Sequence, residues 1–196
     1  MPARKKDTLL FERPPVVAAW AAAGGKKESE GPLSSQFDFL TQDGGFSAQG
    51  CTDWEQAESL LQQQAAGLCL RKAGVARKDV QLTFAGDLQA QCTASNYTMR
   101  TLGTPFAGVY GACSTMAETL ALAACFAACG LAQQALALTS SHFCAAERQF
   151  RTPLSYGAKR TPTAQWTATA AGACLVRAPG AAGVPVFSVT FGRVQD

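Results

Sequence analysis

A cysteine lies at the centre of the stretch of this sequence that is best placed for chemistry, Gly111-Ala112-Cys113-Ser114-Thr115. An apolar run precedes it and a long alanine-rich segment follows, which predicts a strand, a tight corner and a helix. At a helix N-terminus the unpaired N–H groups and the helix dipole favour negative charge. Because the thiolate is the nucleophilic form of cysteine, Cys113 is predicted to lie on a nucleophile elbow. The alternative is that a buried strand meeting a buried helix simply needed a small residue.

Two further polar stretches follow predicted strands. Asp87 comes directly after the strand at residues 80–85, and His142 ends a Ser-Ser-His run after the strand at residues 135–139. Successive β-α-β steps predict parallel strands with right-handed crossovers. In open sheets of this kind, ligands bind at the carboxyl ends of the strands. We therefore expect Asp87, Cys113 and His142 to lie close together around the mouth of one ligand-binding site.

The helices that must position these groups follow from apolar periodicity. The first is predicted to begin at Thr52, capped by Thr52 and Glu55 with the spacing of a capping box. Its core stripe recurs at helical spacing, and Gly74 ends it. The residues of the stripe are Trp54, Ala57, Leu61, Ala65 and Leu68.

Two more helices follow, at residues 94–102 and 114–129. Glu118 is the only formal charge between Arg100 and Glu147, so the second of these is predicted to be buried all round. Strands at residues 16–23, 105–110, 166–176 and 187–194 complete the pattern. The fold class is therefore α/β, a sheet with helices on both faces.

Composition limits the possible functions. The chain has 196 residues, of which 47% are hydrophobic and 16% charged, with a net charge of +3. One globular domain is expected. No run of Lys and Arg is interleaved with aromatic residues, which argues against nucleic acid as a partner.

The cysteines and the termini indicate a reduced, intracellular protein. Eight cysteines are present without a CxxC pair, and His142 is the only histidine. That spacing predicts free thiols and no metal site or cofactor. Acidic residues and prolines interrupt the apolar N-terminal segment, so no signal peptide is expected. Gly130 and two glutamines break residues 119–138, which therefore form a buried helix and strand rather than a membrane span.

Several motifs together resemble a known family. The stretch Val109 to Thr115 followed by Glu118 is similar to the nucleophile region of thiolase-like condensing enzymes. A closer likeness is to one branch of that superfamily, the stage V sporulation protein AD family. It runs from about residue 8 to the end of the chain, and its most specific part is Ser140 to Arg151. The other matching stretches are residues 26–38, 85–88, 93–97 and 192–194.

The resemblance implies a thiolase-like fold, in which two βαβαβαββ halves pack as a five-layered αβαβα sandwich. Residues 1–183 would form the N-terminal half, and residues 184–196 would be the opening strand of a second half that is missing from this sequence. It further implies a protein of the developing spore, peripheral at the spore inner membrane. The implied function is binding of dipicolinic acid, pyridine-2,6-dicarboxylate, for its uptake into the spore.

The resemblance and the residues together predict a ligand site. Bidentate arginines match carboxylates well, so a dicarboxylate would be bound by Arg148 or Arg151. The alternative is that these arginines pair with Glu147 and solvent. The other predicted ligand-binding residues are Cys113, His142, Asp87 and Asn96.

Three functional hypotheses remain open at this point. The first is a ligand-binding protein without turnover, working with other proteins of the same sporulation operon. The second is an acyltransferase in which Cys113 carries an acyl group as a thioester. The third is an inactive, truncated half, which would expose apolar surface and associate as a homodimer or with a separate second half.

Overall fold

The computed structural model describes residues 2–43, 50–150, 163 and 166–194. Its elements alternate along most of the chain, as predicted. The strands are β1 (Ala3–Lys5), β2 (Thr8–Leu10), β3 (Val16–Gly24), β4 (Phe39–Leu40), β5 (Leu82–Gly86), β6 (Phe106–Gly108), β7 (Gln134–Ser141), β8 (Ala170–Arg177), β9 (Val184–Pro185) and β10 (Ser188–Thr190). The helices are α1 (Lys26–Ser29), α2 (Trp54–Ala73), α3 (Thr93–Leu102), α4 (Thr115–Ala128) and α5 (Phe143–Phe150).

The main sheet has the order β4-β3-β8-β7-β5-β6, and β9 pairs with β3 beside that path. The β5, β6 and β7 strands pair in parallel, as the β-α-β steps predicted. The β8 strand runs antiparallel to both of its neighbours, β3 and β7. Because β8 is antiparallel, the tips of β7 and the start of β8 meet at the same edge of the sheet.

Helices cover both faces of this sheet. The α2 and α3 helices pack on one face around a core that includes Leu61, Leu136 and Leu175. The α4 helix packs on the other face, where Phe84 and Phe126 meet edge to face. Small residues dominate both cores, which lets the helices approach the sheet closely.

The start of α2 differs from the prediction by one residue. Asp53, not Thr52, is the N-cap, and its carboxylate accepts from the Gln56 N–H at 2.7 Å. Both residue types are good caps, so the sequence alone did not separate them. Trp54 was predicted in the core stripe and is instead 41% exposed at the first residue of α2.

The α4 helix is not buried all round, contrary to the prediction. Met116 is 63% exposed and Leu122 is also exposed, although Ala123 and Ala127 are fully buried against the sheet. One apolar face of α4 therefore lies open among the described residues. The periodicity correctly predicted apolar faces but carried no information on what covers them.

A separate small sheet joins two segments that are distant in sequence. Its order is β1-β2-β10, with antiparallel pairs throughout. The Thr8 and Thr190 hydroxyls lie 3.0 Å apart, and Arg193 contacts both Asp7 carboxylate oxygens, at 2.7 and 2.8 Å. The predicted final strand is thus shorter than residues 187–194.

Candidate functional site

The corner that carries Cys113 lies between β6 and α4, and Cys113 is exposed there. Ala112 has a φ of 49°, a left-handed conformation that is uncommon for a residue with a side chain. Strained backbone of this kind occurs at functional sites. The Ser114 hydroxyl donates to Gly111 O at 2.6 Å and also contacts the Glu118 carboxylate. The corner therefore holds the thiol outward at the start of α4, as predicted.

Cys113 opens into a cavity of about 610 Å³, which we call the thiol cavity. Its walls include the ends of β7 and β8 and the residues before β8. The residues that define it are Leu88, Cys113, Met116, Ser140, Ser141 and Trp166. The predicted convergence of Cys113 with the Ser-Ser tip of β7 is therefore present.

Asp87 follows β5 at the same edge but lies beneath the surface. It is fully buried, and its carboxylate accepts from the Gln89 N–H at 2.9 Å and from the Ser95 N–H and hydroxyl at 2.8 and 2.7 Å. Because Ser95 lies in the first turn of α3, Asp87 acts as a remote cap for that helix. Its place is behind the cavity wall rather than in the cavity.

His142 is also buried, at 4% exposure, and lines a second cavity of about 300 Å³. We call this the tryptophan cavity and define it by Lys26, Lys27, Trp54, His142, Phe143 and Trp166. The His142 and Trp54 rings are nearly parallel, with centroids 6.3 Å apart. Phe143 packs on Trp166 with centroids 4.5 Å apart, and Lys27 Nζ lies 5.0 Å from the Trp166 ring centroid.

Cys113 and His142 thus line different cavities among the described residues. The two cavities are neighbours, because Trp166 and Thr167 belong to the lining of both. The predicted common mouth is therefore two adjoining spaces with Trp166 between them.

The remaining predicted residues have other surroundings. Arg148 pairs with Glu55 and lies 5.5 Å from the Trp54 ring centroid, on the outer side of α5. Asn96 donates to the Gln91 and Cys92 carbonyls, at 2.9 and 2.8 Å, and so supports a turn in which both residues have positive φ. Arg151 lies outside the described residues.

Sequence reasoning missed a ring of buried polar side chains behind the thiol cavity. We call it the polar ring, and its members are each at most 7% exposed. They are Glu58, Gln62, Asp87, Gln89, Ser95 and Ser140. The available signal was a pair of polar residues four apart in α2, Glu58 and Gln62, beside its apolar stripe.

Burial changes the acidity of both carboxyls in this ring. Loss of solvation raises the pKa of Glu58 to about 7, and the Asp87 charge contributes in the same direction. Hydrogen bonds from Ser140, Gln89 and the His142 backbone oppose that rise. Burial also raises the pKa of Asp87, against the hydrogen bonds from Ser95 and Gln89. Burial therefore disfavours the ionised forms of Glu58 and Asp87, which lie behind the site.

Comparison with known proteins identifies the family. The family model for Stage V sporulation protein AD (SpoVAD) matches residues 5–196. The chain belongs to this family. Stage V sporulation protein AD of Bacillus subtilis (strain 168) is 42% identical over 194 residues, covering 97% of this chain and 55% of that protein. This member of the SpoVAD family therefore spans about half the length of the curated relative it matches.

Solved structures with the same fold come from condensing enzymes. The 3-oxoacyl-[acyl-carrier-protein] synthase III of Aquifex aeolicus VF5 matches 85% of this SpoVAD-family chain and 55% of its own, with a TM-score of 0.57 and 13% identity. The OleA H285N variant of Xanthomonas campestris matches 86% and 57%, with a TM-score of 0.55 and 14% identity. The thiolase-like fold is therefore confirmed, and at such low identity these likenesses concern the fold alone.

Within the described parts of the chain, no helix combines the length and the apolar character needed to cross a bilayer. The segment at residues 119–138 is divided between α4 and β7, as the sequence predicted.

Proposed function

We propose that this chain binds dipicolinic acid in the two adjoining cavities and supports uptake of that ligand into the developing spore. Membership of the SpoVAD family supports a sporulation function. The observation that carries the ligand assignment is the pair of cavities that share Trp166. A planar aromatic dianion needs a flat apolar wall and nearby positive charge, and these cavities offer both.

The apolar wall comes from the aromatic side chains. Trp166 borders both cavities, and Trp54 and Phe143 add further ring faces on the side of the tryptophan cavity. Stacking of an aromatic ring on such side chains contributes on the order of 1 kcal/mol beyond its burial. We infer that the pyridine ring of the ligand lies against Trp166.

The charge comes from the lysines. Lys26 and Lys27 line the tryptophan cavity beside one carboxylate, Glu28, whereas Arg148 is engaged with Glu55 and Trp54. We therefore expect Lys26 and Lys27 to attract the ligand carboxylates, with Arg148 acting indirectly by holding Trp54.

Calorimetric titration of the purified chain with pyridine-2,6-dicarboxylate tests this proposal. We expect binding that weakens at least tenfold in Trp166→Leu and in the double variant Lys26→Gln, Lys27→Gln. Trp20→Leu is the matched control, because Trp20 is 55% exposed, close to the 51% of Trp166, and lines neither cavity. Equal loss in Trp20→Leu, or no loss in Trp166→Leu, would overturn the assignment.

Uptake and assembly belong to the same proposal. We propose that the chain works beside other proteins of its sporulation operon, peripheral at the spore inner membrane. The open face of α4, with Met116 and Leu122 exposed, favours contact with a second half or a second copy. Light scattering of the purified chain tests self-association, and a monodisperse monomer at micromolar concentration would count against a homodimer.

A second candidate function is acyl transfer by Cys113. The observation in its favour is the exposed thiol at the start of α4, in a cavity that has room for a ligand. Incubation with an acyl-CoA followed by mass spectrometry tests it. An adduct on Cys113 that hydroxylamine releases would support acyl transfer, and an unmodified thiol would leave dipicolinic acid binding as the function.

A further inference from the structure

Three consecutive cations occupy the hairpin between β1 and β2. Arg4 and Lys5 lie on β1, and Lys6 begins the short turn that leads to β2. All three residues are exposed. The Arg4 Nε donates to the Lys6 carbonyl at 2.9 Å, which holds the Arg4 side chain near the turn. The positive charges are therefore concentrated at one end of the small sheet.

The acid nearest in sequence does not neutralise these charges. Asp7 completes the turn, and Arg193 contacts both of its carboxylate oxygens. Among the described residues, no carboxylate forms an ion pair with Arg4, Lys5 or Lys6. The end of the hairpin thus carries an excess of positive charge, and a patch of this kind attracts anionic surfaces.

The backbone at Lys6 makes the position of this lysine costly. Its φ of 54° is in the left-handed region, which favours glycine. Tight hairpin turns ordinarily use Gly, Asn or Asp at such positions. A lysine there loses stability relative to glycine, so the hairpin keeps a positive charge at its end at the expense of stability.

Apolar side chains lie beside these cations. Phe191 follows β10 directly, and its N–H donates to the Asp7 carbonyl at 2.9 Å, which places Phe191 next to the turn. Phe191 is 54% exposed, and Val194 is exposed completely. At a bilayer interface, long cationic side chains contact the headgroups while aromatic and aliphatic side chains enter the boundary with the acyl chains. We call the following residues the hairpin tip: Arg4, Lys5, Lys6, Phe191 and Val194.

We propose that the hairpin tip is a membrane-docking surface that binds the headgroups of an anionic lipid bilayer. The cations attract the negative surface, and Phe191 enters the boundary between headgroups and acyl chains. An acidic polymer would also attract the cations but would leave Phe191 in water, so the combination of charge and apolar surface favours a bilayer. The inference rests on the proposed function for the membrane location alone. No residue of the hairpin tip lines the thiol cavity or the tryptophan cavity, so docking leaves both cavities open.

Sedimentation of the purified chain with lipid vesicles, without dicarboxylate, tests this surface. We expect binding to vesicles that contain equal parts of phosphatidylglycerol and phosphatidylcholine, and none to phosphatidylcholine alone. Raising the salt concentration from about 0.1 M to about 1 M should release the chain, because the screening length falls to about 3 Å. The triple variant Arg4→Gln, Lys5→Gln, Lys6→Gln should partition about a hundredfold less onto the anionic vesicles.

A matched control makes the same change in charge at another place. The triple variant Arg71→Gln, Arg77→Gln, Lys78→Gln removes exposed cations from the end of α2 and the turn after it. This control should bind the anionic vesicles as the wild type does. An equal loss in both triple variants would mean that net charge alone attracts the chain, and would overturn the docking surface.

Two single variants separate docking from folding and from simple attraction to polyanions. Lys6→Gly relieves the left-handed backbone, so it should unfold at the same or a higher urea concentration and still bind vesicles about fivefold less. Phe191→Ser should also bind vesicles about fivefold less, while its retention on heparin stays unchanged. A wild-type chain that is retained on heparin and does not bind vesicles would assign the hairpin tip to an acidic polymer and overturn the bilayer.

The vesicle and dicarboxylate measurements fail independently. A chain that binds anionic vesicles but not pyridine-2,6-dicarboxylate overturns the proposed ligand and supports the docking surface. A chain that binds the dicarboxylate but not the vesicles overturns the docking surface alone.

Discussion

Two corners at the same edge of the sheet look alike in sequence and differ in structure. Gly111 to Ser114 follows β6, and Gly86 to Gln89 comprises the last residue of β5 and the turn after it. The first corner presents Cys113 to a cavity, whereas the second turns Asp87 inward and satisfies all its hydrogen bonds within the chain. The difference follows from position, because β6 is the edge strand and β5 lies between β6 and β7 under α2 and α3.

The comparison teaches that the tip of an edge strand is open to a ligand while the tip of an inner strand becomes its support. Cys113 is exposed to a cavity, whereas Asp87 is buried and hydrogen-bonded within the chain. Exposure and hydrogen bonding, rather than residue type, therefore distinguish a ligand-facing side chain from a supporting one. Four predictions test this division, from the largest expected effect to the smallest.

Glycine at the inner corner should be far less replaceable than glycine at the outer one. A Cβ at Gly86 would clash with the Val109 carbonyl and the Thr115 methyl, whereas a Cβ at Gly111 would meet the ends of the Glu118 and Ser114 side chains. We expect Gly86→Ala to cost more than about 3 kcal/mol of unfolding free energy and Gly111→Ala about 1 kcal/mol. Urea denaturation measures both, and equal costs would remove the distinction between the corners.

Removal of the Asp87 side chain should likewise cost more unfolding free energy than removal of the Cys113 side chain. Asp87→Ala leaves the Gln89 and Ser95 backbone N–H groups without acceptors, so we expect a loss of about 3 kcal/mol. Cys113→Ala removes an exposed side chain and should change stability by less than about 0.5 kcal/mol. Thermal and urea unfolding of the two variants provide the measurement. A marginal effect of Asp87→Ala would mean that its hydrogen bonds do not hold the inner corner.

Glu58 should make the protein less stable as pH rises. Its pKa is about 7 in the folded chain and near 4.5 when unfolded, so its protonated form is favoured by folding. The full stability is present below about pH 4.5 and is lost as pH rises through 7, a difference of about 3 kcal/mol. Urea denaturation at pH 5 and pH 8 should show this loss in wild type and in Glu30→Gln, a change at an exposed acid. In Glu58→Gln most of the loss should disappear, and an unchanged loss would refute the assignment.

Replacing Ser114 should have only a small effect on stability. Its hydroxyl connects Gly111 O with the Glu118 carboxylate at an exposed corner. Ser114→Ala should therefore cost about 1 kcal/mol or less, while alkylation of Cys113 by iodoacetamide becomes measurably faster or slower as the corner loosens. Mass spectrometry follows the alkylation. An unchanged rate would show that Ser114 does not hold the thiol.

Much of the outer corner was predictable because its determinants are local. Small residues around Cys113, an apolar run before it and a long alanine-rich helix after it predicted the exposed thiol and its place beside the β7 tip. The motif likeness correctly predicted the family and the thiolase-like fold. Local sequence patterns are sufficient to predict a corner such as this one, because one short segment determines its conformation.

The inner corner was not predictable in the same way, because its geometry depends on contacts across the fold. Glu58 meets Ser140, which lies 82 residues further along the chain, and Gln62 meets Ser95. No periodicity reports such pairs. The α5 helix was missed because residues 143–150 mix polar and apolar types, and the exposed face of α4 was missed because a pattern does not say what lies opposite.

The small sheet near residues 3–10 has a consequence for how the protein forms. The β2 strand pairs with β10, and Thr8 is 182 residues from its partner Thr190. During synthesis the β1–β2 pair must keep one edge of β2 unpaired until residues 188–190 have emerged from the ribosome. Loop closure over such a span is slow, so these early strands are where a chaperone would be most useful during synthesis.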